Sequence, residues 1–415
     1  MAGGLMQLVA YGAQDVYLTG NPEVTFFQAK YKRHTNFAME NIEQTVNGTA
    51  ADSGRVSVTV ARNGDLVGDM YVELKVKSSG VTSANAAWVA ERAINNVELS
   101  IGGQRIDKQY QKWWRLYSEL YLDESKKATY GKMSSGVSGK TVYLPLYFFF
   151  NRNPGLYLPL IALQYHEVRV DIDLASDFAS YCNTDTFKVW ANYVYLDTEE
   201  RRRFAQKGHE YLIEQVQHTG TDTVSSAETK QVRLSYNHPV KELVWCFSNT
   251  TARSSLWNFT SQNQINDVVL QSNALASGNC YVPISAAAGV PLVQFGTGAS
   301  TENYNEDAIG PLNTFKLVLN GQDRFKEQSG KYFNQVQAYN YHTGCNAPGV
   351  YSYSFALKPE EHQPTGTCNF SRIDNAQVSI TTTPGNDNAT NLNMFAVNYN
   401  VLRIQSGMGG LAFSN

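Results

Sequence analysis

Seven histidines are the residues most able to bind a metal ion or move a proton in this 415-residue chain. None of them shows the H-x-H or H-E-x-x-H spacing that aims two imidazoles at one ion. His166 and Glu167 are neighbours, but neighbours on a strand point to opposite faces, so this pair cannot share a site unaided. We therefore predict no metal and no cofactor. The histidines are His34, His166, His209, His218, His238, His342 and His362.

Two further patterns suggest ligand chemistry at first sight. Asp171 and Asp173 could bind a metal, but they alternate with apolar residues on a strand, so a solvated polar face explains them. Residues 407–412, Gly-Met-Gly-Gly-Leu-Ala, match the dinucleotide fingerprint in form. Only three residues follow them, which leaves no helix whose N-terminus could hold a pyrophosphate. We interpret this segment as a flexible or turn-forming C-terminus.

Trp113 and Trp114 could form the sugar-stacking platform of a carbohydrate-binding protein. They lie in a stripe of aromatic residues with helical spacing, which favours packing in a core or in a subunit interface. We therefore expect them to be structural.

Five Asn-X-Ser/Thr sequons could accept glycans if the chain meets a glycosyltransferase. Asn249, Asn258 and Asn388 lie in loop-like stretches and are the better candidates. Asn47 and Asn369 complete the set, and we expect Asn369 to be packed. Since no signal peptide is recognisable, ordinary secretory glycosylation is not expected.

The charge distribution argues against binding of nucleic acid. The net charge is −3 and the isoelectric point about 6.2, and residues 1–29 contain Asp15 and Glu23 but no lysine or arginine. The arginines of 201–203 closely follow three acidic residues, which favours a solvated, self-neutralising helix. The basic run 30–33 could contact lipid headgroups or another protein, but four residues do not decide this. We expect no direct contact with nucleic acid.

The composition favours a subunit that assembles with others. Only 17% of the residues are charged, whereas about 25% is usual in globular proteins. Aromatic residues make up 12% of the chain. Interface cores are poor in charge and rich in Tyr, Trp and Phe, so this balance fits a protein with much surface buried against partners.

The cysteines and the N-terminus indicate a reducing compartment. Five cysteines form no C-x-x-C pair and are odd in number, so we expect free thiols rather than a zinc site or a disulfide framework. The first residues resemble no signal peptide, and no stretch approaches the ~18 apolar residues of a membrane span. Synthesis and assembly in the cytoplasm are therefore expected. The cysteines are Cys182, Cys246, Cys280, Cys345 and Cys368.

The elements that must position these residues are mostly strands. Alternation of apolar and polar residues recurs along the chain, and it is clearest over 168–174, where Val168, Val170, Ile172 and Leu174 share one face. Two segments differ. Aromatic residues at three- and four-residue spacing predict a helix over 107–127, and Asp197 with Glu200 predicts the start of a second helix, a candidate connector.

Three matches in the same order indicate that one unit is duplicated. Residues 97–104 resemble 315–322, with an offset of 321 − 103 = 218 between their glycines. The segment from Pro154 resembles that from Pro348, at 348 − 154 = 194, and Asn192-Tyr193 resembles Asn398-Tyr399, at 398 − 192 = 206. Since 415 residues also exceed what one core usually serves, two domains are expected.

We therefore predict an all-β fold of two tandem eight-stranded jelly-roll barrels with short inserted helices. The expected boundaries are an N-terminal arm over 1–30, a first jelly roll over 31–205, a connector over 206–224 and a second jelly roll over 225–415. If three such chains close around a threefold axis, six similar barrels surround the centre, which gives a nearly hexagonal tile.

The sequence resembles the double jelly-roll major capsid proteins of nucleocytoplasmic large DNA viruses, most closely those of viruses that infect algae. The matching motifs are spread over the whole chain. They are Gly3-Gly4-Leu5, Gln7-Leu8-Val9-Ala10-Tyr11-Gly12, Leu18-Thr19-Gly20-Asn21-Pro22, Arg33-His34-Thr35-Asn36-Phe37, Ile101-Gly102-Gly103-Gln104-Arg105-Ile106-Asp107, Pro159-Leu160-Ile161-Ala162-Leu163-Gln164-Tyr165-His166-Glu167, Leu319-Asn320-Gly321-Gln322-Asp323-Arg324, Cys368-Asn369-Phe370-Ser371-Arg372-Ile373-Asp374-Asn375 and Asn398-Tyr399-Asn400-Val401-Leu402-Arg403-Ile404.

The resemblance implies a homotrimeric, pseudo-hexagonal capsomer in the icosahedral shell of a large double-stranded DNA virus. It also implies contacts with neighbouring capsomers, and minor capsid proteins and an internal membrane on the inner side, where the N-terminal segment would lie. No close family motif is found in residues 78–93, 123–140, 219–230 and 250–308. We interpret these as the loops that cap the barrels.

The leading hypothesis is therefore a structural protein of the virion that is not an enzyme. A second hypothesis is a carbohydrate-binding module that attaches to host-surface glycans through its outer loops, with Trp113 or Trp257 as the residue to test. A third, a metal-dependent β-barrel enzyme, has the least support, because the histidines are scattered.

Overall fold

The chain folds as two β-sandwiches in sequence order. The computed structural model describes residues 7, 9–10, 12–78, 88–136, 139–248, 281–282, 293–294, 310–344, 349–384 and 390–413. In each half of the chain the strands form two antiparallel sheets around a buried apolar core. Such a sheet can bury one face and leave the other polar, so residues alternate between the core and the outside.

The first sandwich has two five-stranded sheets. Its strands are β3 (Phe37–Gln44), β4 (Val46–Asn47), β5 (Arg55–Thr59), β6 (Leu66–Lys75), β7 (Ile94–Ile101), β8 (Gln104–Tyr110), β9 (Thr141–Pro145), β10 (Leu158–Pro159), β11 (Val168–Leu174) and β12 (Lys188–Leu196). One sheet has the order β10-β6-β12-β3, and β9 also pairs with β6. The other has the order β4-β5-β11-β7-β8. In the arm before them, β1 (Glu23–Val24) and β2 (Ala29–Lys30) form a separate hairpin.

The second sandwich has one six-stranded and one five-stranded sheet. Its strands are β13 (His209–Thr223), β14 (Thr229–Leu234), β15 (Pro239–Ser248), β18 (Leu312–Leu319), β19 (Gln322–Asp323), β20 (Gln328–Ser329), β21 (Val350–Ser354), β22 (Cys368–Asn369), β23 (Ala376–Thr382), β24 (Asn391–Gln405) and β25 (Met408–Leu411). The larger sheet has the order β13-β24-β15-β21, with β22 on β15 and β25 on β24. The smaller has the order β14-β23-β18-β19, with β20 on β18. Strands β16 (Tyr281–Val282) and β17 (Val293–Gln294) pair with each other.

Both sandwiches have the jelly-roll strand order. If the eight principal strands of each half are numbered in sequence, one sheet contains the first, eighth, third and sixth, and the other the second, seventh, fourth and fifth. In the first half these strands are β3, β5, β6, β7, β8, β9, β11 and β12; in the second they are β13, β14, β15, β18, β19, β21, β23 and β24. The predicted pair of eight-stranded jelly rolls is thereby confirmed.

Two of the three sequence matches lie on equivalent elements. The glycines of the first match lie in the tight turn between the fourth and fifth strands, where Gly102 and Gly103 have φ of 58° and 82°, and Asn320 and Gly321 have 49° and 78°. A two-residue turn with two positive φ angles favours glycine and asparagine, so this signal has a physical cause. Asn192 and Asn398 both lie on the eighth strand, each beside a shift in register.

The second match does not join equivalent elements. Residues Pro154–Leu156 form a 3₁₀ turn between the sixth and seventh strands of the first sandwich, whereas Val350–Ser354 is itself the sixth strand of the second. The likeness of these two segments therefore carries no information on the duplication.

Short helices lie between the strands. They are α1 (Asp15–Leu18), α2 (Val89–Ala93), α3 (Gln111–Leu120), α4 (Glu124–Ser134), α5 (Phe149–Arg152), α6 (Phe178–Tyr181), α7 (Thr198–Gln206) and α8 (Gln337–Tyr341), with further turns at Pro154–Leu156, Tyr332–Val336 and Phe370–Arg372. The bounds predicted for the helix over 107–127 are wrong: residues 107–110 belong to β8, and the rest forms two helices, because Asp123 caps a new one by accepting from the Lys126 amide. Within the described residues, no helix is long and apolar enough to cross a bilayer.

Helix α7 joins the two sandwiches, and the chain enters the second one earlier than the sequence predicts. Residues 206–224 are expected to be a connector, but β13 occupies 209–223 and pairs with β24 along its length. The strand was missed because its buried stretch contains Glu214 and Gln215, which interrupt the alternation of apolar residues.

Candidate assembly site at the seam between the sandwiches

The two sandwiches meet along a buried surface, which we call the seam. From the first half, Trp113 and Leu116 of α3 are almost completely buried against strands of the second. The Trp113 and Phe395 ring centroids lie 5.7 Å apart. Contacts between independent domains are usually more polar, so this seam resembles a core. Its apolar residues from the second sandwich are Val216, Val244, Cys246, Val350, Phe395 and Val397.

A buried ion triad crosses the seam. One carboxylate oxygen of Glu214, on β13, accepts from Nη1 of Arg152 in α5 at 3.1 Å. The other accepts from Nζ of Lys241, on β15, at 2.6 Å. Burial alone would raise the pKa of Glu214, but the two cations hold it well below its usual range, so Glu214 is ionised at neutral pH. The triad therefore ties the first sandwich to two strands of the second.

Asp107, in β8, makes a further link across the seam. Its Oδ1 atom accepts from the backbone amide of Val216 at 3.1 Å and from that of Lys108 at 2.8 Å. Its Oδ2 atom is buried and has no hydrogen-bond partner among the described residues. Burial raises the pKa of Asp107 to about 7, despite those amides and the charge of Arg152. This carboxyl group therefore changes its charge near neutral pH.

A chain of four polar side chains lies close to the triad. Tyr121, directly after α3, donates to Oε2 of Glu242 on β15. The other oxygen of Glu242 lies 2.5 Å from Nε2 of His342, and Nδ1 of His342 lies 3.3 Å from Glu360. The side chains of Glu242 and His342 are completely buried. This chain links the helical insertion of the first sandwich, which consists of α3 and α4 between β8 and β9, to the second sandwich.

A cavity of about 200 Å³ borders both polar groups. It is large enough for several water molecules, and its lining supplies the polar partners that buried water needs. The residues that line it are Tyr117, Tyr121, Phe149, Arg152, Asn153, Leu156, Glu214, Lys241, Glu360 and His362.

The C-terminal glycine motif packs against the first sandwich, and we call this contact the clasp. Strand β25 turns back from β24 and lies against the loop before β11, where the Tyr165 amide donates to the Gly407 carbonyl at 3.0 Å. The Leu411 amide donates to Oε1 of Gln104 at 3.1 Å. The prediction of a turn-forming segment is confirmed, since Gly407 has a φ of 79° between β24 and β25.

The N-terminal arm exposes apolar side chains to solvent. Phe26 and Phe27, at the tip of the β1–β2 hairpin, are each 100% exposed, and Tyr31 is 82% exposed. An isolated two-stranded hairpin is marginally stable in water, and contiguous exposed apolar residues usually mark an interaction site. The arm is therefore a second candidate assembly surface.

The candidate site residues from the sequence analysis that the structure describes lie in different parts of the fold. Trp113 lies in the seam and Trp114 in the core of the first sandwich, so their predicted structural role is confirmed. Asp171 and Asp173 receive hydrogen bonds from Ser57 and Arg55 across the strand pair.

Of the basic residues and cysteines, Arg201 forms an ion pair and three cysteines are free thiols. Arg201 pairs with Asp65 at 3.0 Å. Cys182, Cys246 and Cys368 are free thiols, as expected. Among the described residues, no group of three or more His, Cys, Asp or Glu could hold a metal ion.

The preferred glycan candidates, Asn249, Asn258 and Asn388, lie outside the described residues, as does Trp257. The other two sequon residues, Asn47 and Asn369, are both exposed, and the expectation that Asn369 is packed is wrong. Its side chain caps a turn by accepting from the Ser371 amide at 3.0 Å.

Sequence reasoning did not single out the charges of the seam. Lys241 and Glu242 lie within β15, whose other residues are almost all buried, and Glu214 lies among the apolar residues of β13. A charged side chain inside a strand that is otherwise apolar on both faces was the available signal. It must find a partner, because an unpaired buried charge is very costly.

Comparison with known proteins agrees with the fold. Residues 25–197 match a model of the N-terminus of major capsid proteins, and residues 200–410 match that of the large eukaryotic DNA virus major capsid protein. The chain belongs to this major capsid protein family. The major capsid protein of Paramecium bursaria Chlorella virus 1 is 46% identical, and that of Phaeocystis pouchetii virus 40%, each over the full length of both chains.

Solved structures show the same double jelly roll. The crystal structure of PBCV-1 VP54, fitted into a reconstruction of the virophage Sputnik, matches with a TM-score of 0.79 at 40% identity, over 94% of this chain and 100% of that one. The Faustovirus major capsid protein matches with a TM-score of 0.68 over 92% and 93%, at 12% identity, which shows the fold alone. The chain is thus a component of a viral capsid shell, and the prediction of a structural protein that is not an enzyme is confirmed.

Proposed function

We propose that three copies of the chain close into a pseudo-hexagonal capsomer that tiles an icosahedral shell. The observation that carries the proposal is the pair of sandwiches with the same strand order in one chain. Threefold closure of such a pair places six similar sandwiches around one axis, and an outline of nearly sixfold shape packs against copies of itself on all sides.

The seam supports this proposal because the tile needs a fixed angle between the two sandwiches. A hinge between them would give each trimer a different outline. The buried triad of Arg152, Glu214 and Lys241 and the cluster around Trp113 oppose such motion, since both would lose buried contacts if the sandwiches separated. We also propose that the first jelly roll spans residues 31–205, and that the second, expected from the sequence over 225–415, begins earlier, with β13 at His209.

The exposed arm supports contacts beyond the trimer. We propose that it lies on the inner side of the shell and contacts minor capsid proteins and the internal membrane, with Phe26 and Phe27 as its apolar anchors. Neighbouring capsomers are further partners, and assembly takes place in the host cytoplasm. Glycans on Asn249, Asn258 and Asn388 and contacts of the outer loops with host-surface glycans belong to the same proposal.

Native mass spectrometry of the purified chain at neutral pH tests the trimer. The expected mass is three times 46.2 kDa. A folded protein that remains monomeric over micromolar concentrations contradicts the proposal. Peptide mass spectrometry of virion protein tests the glycans separately, and unmodified peptides covering Asn249, Asn258 and Asn388 refute that part.

A further inference from the structure

His342 is a completely buried imidazole with a carboxylate against each of its ring nitrogens. Glu242 lies 2.5 Å from Nε2 and Glu360 lies 3.3 Å from Nδ1. A neutral imidazole has one N–H, so its other nitrogen would turn a lone pair toward a carboxylate. Only the imidazolium, with two N–H groups, can donate to both carboxylates. With both carboxylates ionised, this geometry therefore calls for a positive charge on His342.

This charge is the counterion of Glu242. Glu242 is completely buried, and among the described residues His342 is the cation found within ion-pair distance of it. Lys241, its neighbour on β15, is engaged by Glu214 at 2.6 Å, and Arg152 also pairs with Glu214. The remaining group that faces the pair is Tyr121, whose hydroxyl donates to Glu242 and whose ring meets the His342 ring edge-on at 5.3 Å between centroids.

The link has consequences for the seam because its members come from separate parts of the chain. Tyr121 follows α3 in the insertion of the first sandwich, whereas Glu242, His342 and Glu360 belong to the second. If the imidazolium loses its proton, a buried carboxylate keeps its charge without a cation, a state that is strongly unfavourable. The cavity lined by Tyr121 and Glu360 admits water to the group, so the proton can leave.

We propose that protonated His342 holds the insertion of the first sandwich against the second. Loss of its proton at alkaline pH releases the insertion. The inference goes beyond the proposed trimer, because it concerns how one chain holds its two sandwiches together. In a shell, the same event would loosen every tile at alkaline pH and leave it intact near neutrality.

The direction of the pH dependence follows from the charges. Burial lowers the pKa of His342, but Glu242 and Glu360 outweigh it and raise the pKa to about 9. The stabilisation is therefore complete below the ordinary histidine value of about 6.5 and is lost as pH rises through about 9. Glu214 and Glu360, whose pKa values are lowered in the fold, lose their contributions on the acid side instead. Burial also lowers the pKa of Lys241, so the experiment must separate these two cations.

Nuclear magnetic resonance of the full chain labelled with [¹³Cε1]-histidine makes this separation. The resonance that is missing from His342→Gln is expected to titrate near pH 9 in the native protein. Glu360→Gln is the matched variant, because it keeps the size of the side chain and removes one of the two carboxylates. It should lower the midpoint of the same resonance by about one pH unit, which corresponds to a tenfold weaker hold on the proton.

Hydrogen exchange tests whether the seam responds. After correction for the intrinsic rate, amides of residues 111–121 should lose at least tenfold protection between pH 8 and 10, whereas those of 168–174, in the first core, should keep theirs. His342→Gln should have low protection in 111–121 already at pH 7, with no step above pH 8. A His342 resonance that titrates below pH 7, equal loss in both segments, or a step that persists in His342→Gln would overturn the proposal. If His342→Gln does not fold, the shift in Glu360→Gln identifies the resonance.

Discussion

Gly409 of the C-terminal hairpin lies against His166 of the first sandwich, with His166 Nδ1 2.8 Å from the Gly409 carbonyl oxygen and 3.1 Å from its amide nitrogen. A side chain at this position would force buried neighbours to shift. A Cβ atom on Gly409 would lie 2.7 Å from Cδ2 of Leu163 and 3.3 Å from Cγ2 of Ile101, and both residues are buried. The last strand of the second sandwich thus clasps the first through a close approach that glycine permits.

Gly409→Val is therefore expected to destabilise the protein by about 1–3 kcal/mol, as overpacking of a core does. Chemical denaturation monitored by tryptophan fluorescence gives the difference in the free energy of unfolding. Gly208→Ala is the matched control, because a Cβ at Gly208 would make contacts of 3.7 Å or longer, and it should change stability by less than about 0.5 kcal/mol. Equal effects of the two substitutions would show that the clasp does not hold the first sandwich.

Lys241→Met removes one cation of the buried triad and leaves Glu214 with Arg152 and, at 3.8 Å, His362. Removal of one partner of a buried pair typically costs about 3–5 kcal/mol, and the same denaturation experiment measures it. Arg403→Ala is the control. Arg403 and Glu210 form an ion pair whose side chains are both more than half exposed, so its loss should cost less than about 1 kcal/mol. A Lys241→Met protein as stable as Arg403→Ala would mean that the triad does not tie the seam together.

Asp107 gives the seam a pH dependence near neutrality. Burial raises its pKa to about 7, so the folded state holds the proton more tightly than the unfolded chain. Its stabilising contribution is complete below about pH 4 and is lost as pH rises through 7, by about 1.4 kcal/mol for each pH unit that separates the unfolded and folded pKa values. In Asp107→Asn, Oδ1 can still accept from Val216, and this loss should vanish. Unfolding at pH 5 and pH 8 checks it, and the same decrease in both proteins would contradict the assignment.

The arm should matter for assembly and not for folding. Phe26 and Phe27 are fully exposed in the single chain, so replacement of both by serine should leave the melting temperature within about 1 °C. Packing of trimers into larger shells should fall severalfold, as counted by negative-stain electron microscopy of assembly reactions. The matched control is Phe413→Ser, an exposed apolar residue at the other end of the chain. Normal shells from the Phe26 and Phe27 variant would show that the arm is not needed for assembly.

Strand alternation and turn chemistry were sufficient to predict the fold class. Val168, Val170, Ile172 and Leu174 point into one core as predicted, and the Gly102-Gly103 turn marks the same position as Asn320-Gly321 in the other sandwich. These signals are local, since they depend on side-chain period and on φ. The boundary at β13 was missed because Glu214 breaks the period for a reason that lies in the other sandwich.

The seam itself could not be read from the sequence. Arg152, Glu214, Lys241 and His342 are separated by dozens of residues. The fold of the second sandwich brings the last three near one another, and the packing of the first sandwich on the second adds Arg152. The aromatic stripe of α3 predicted a buried helix, but not that its partner would be β24 of the second sandwich. Long-range pairing of charges leaves no periodic pattern for a single sequence to show.

Electron cryomicroscopy of the purified oligomer at neutral pH tests the central claim most directly. We predict a particle with threefold symmetry in which six sandwiches lie around the axis at nearly equal angles, with the angle between the two sandwiches of one chain the same in every subunit. A ring of another symmetry, or sandwiches that take variable angles within one chain, would contradict it.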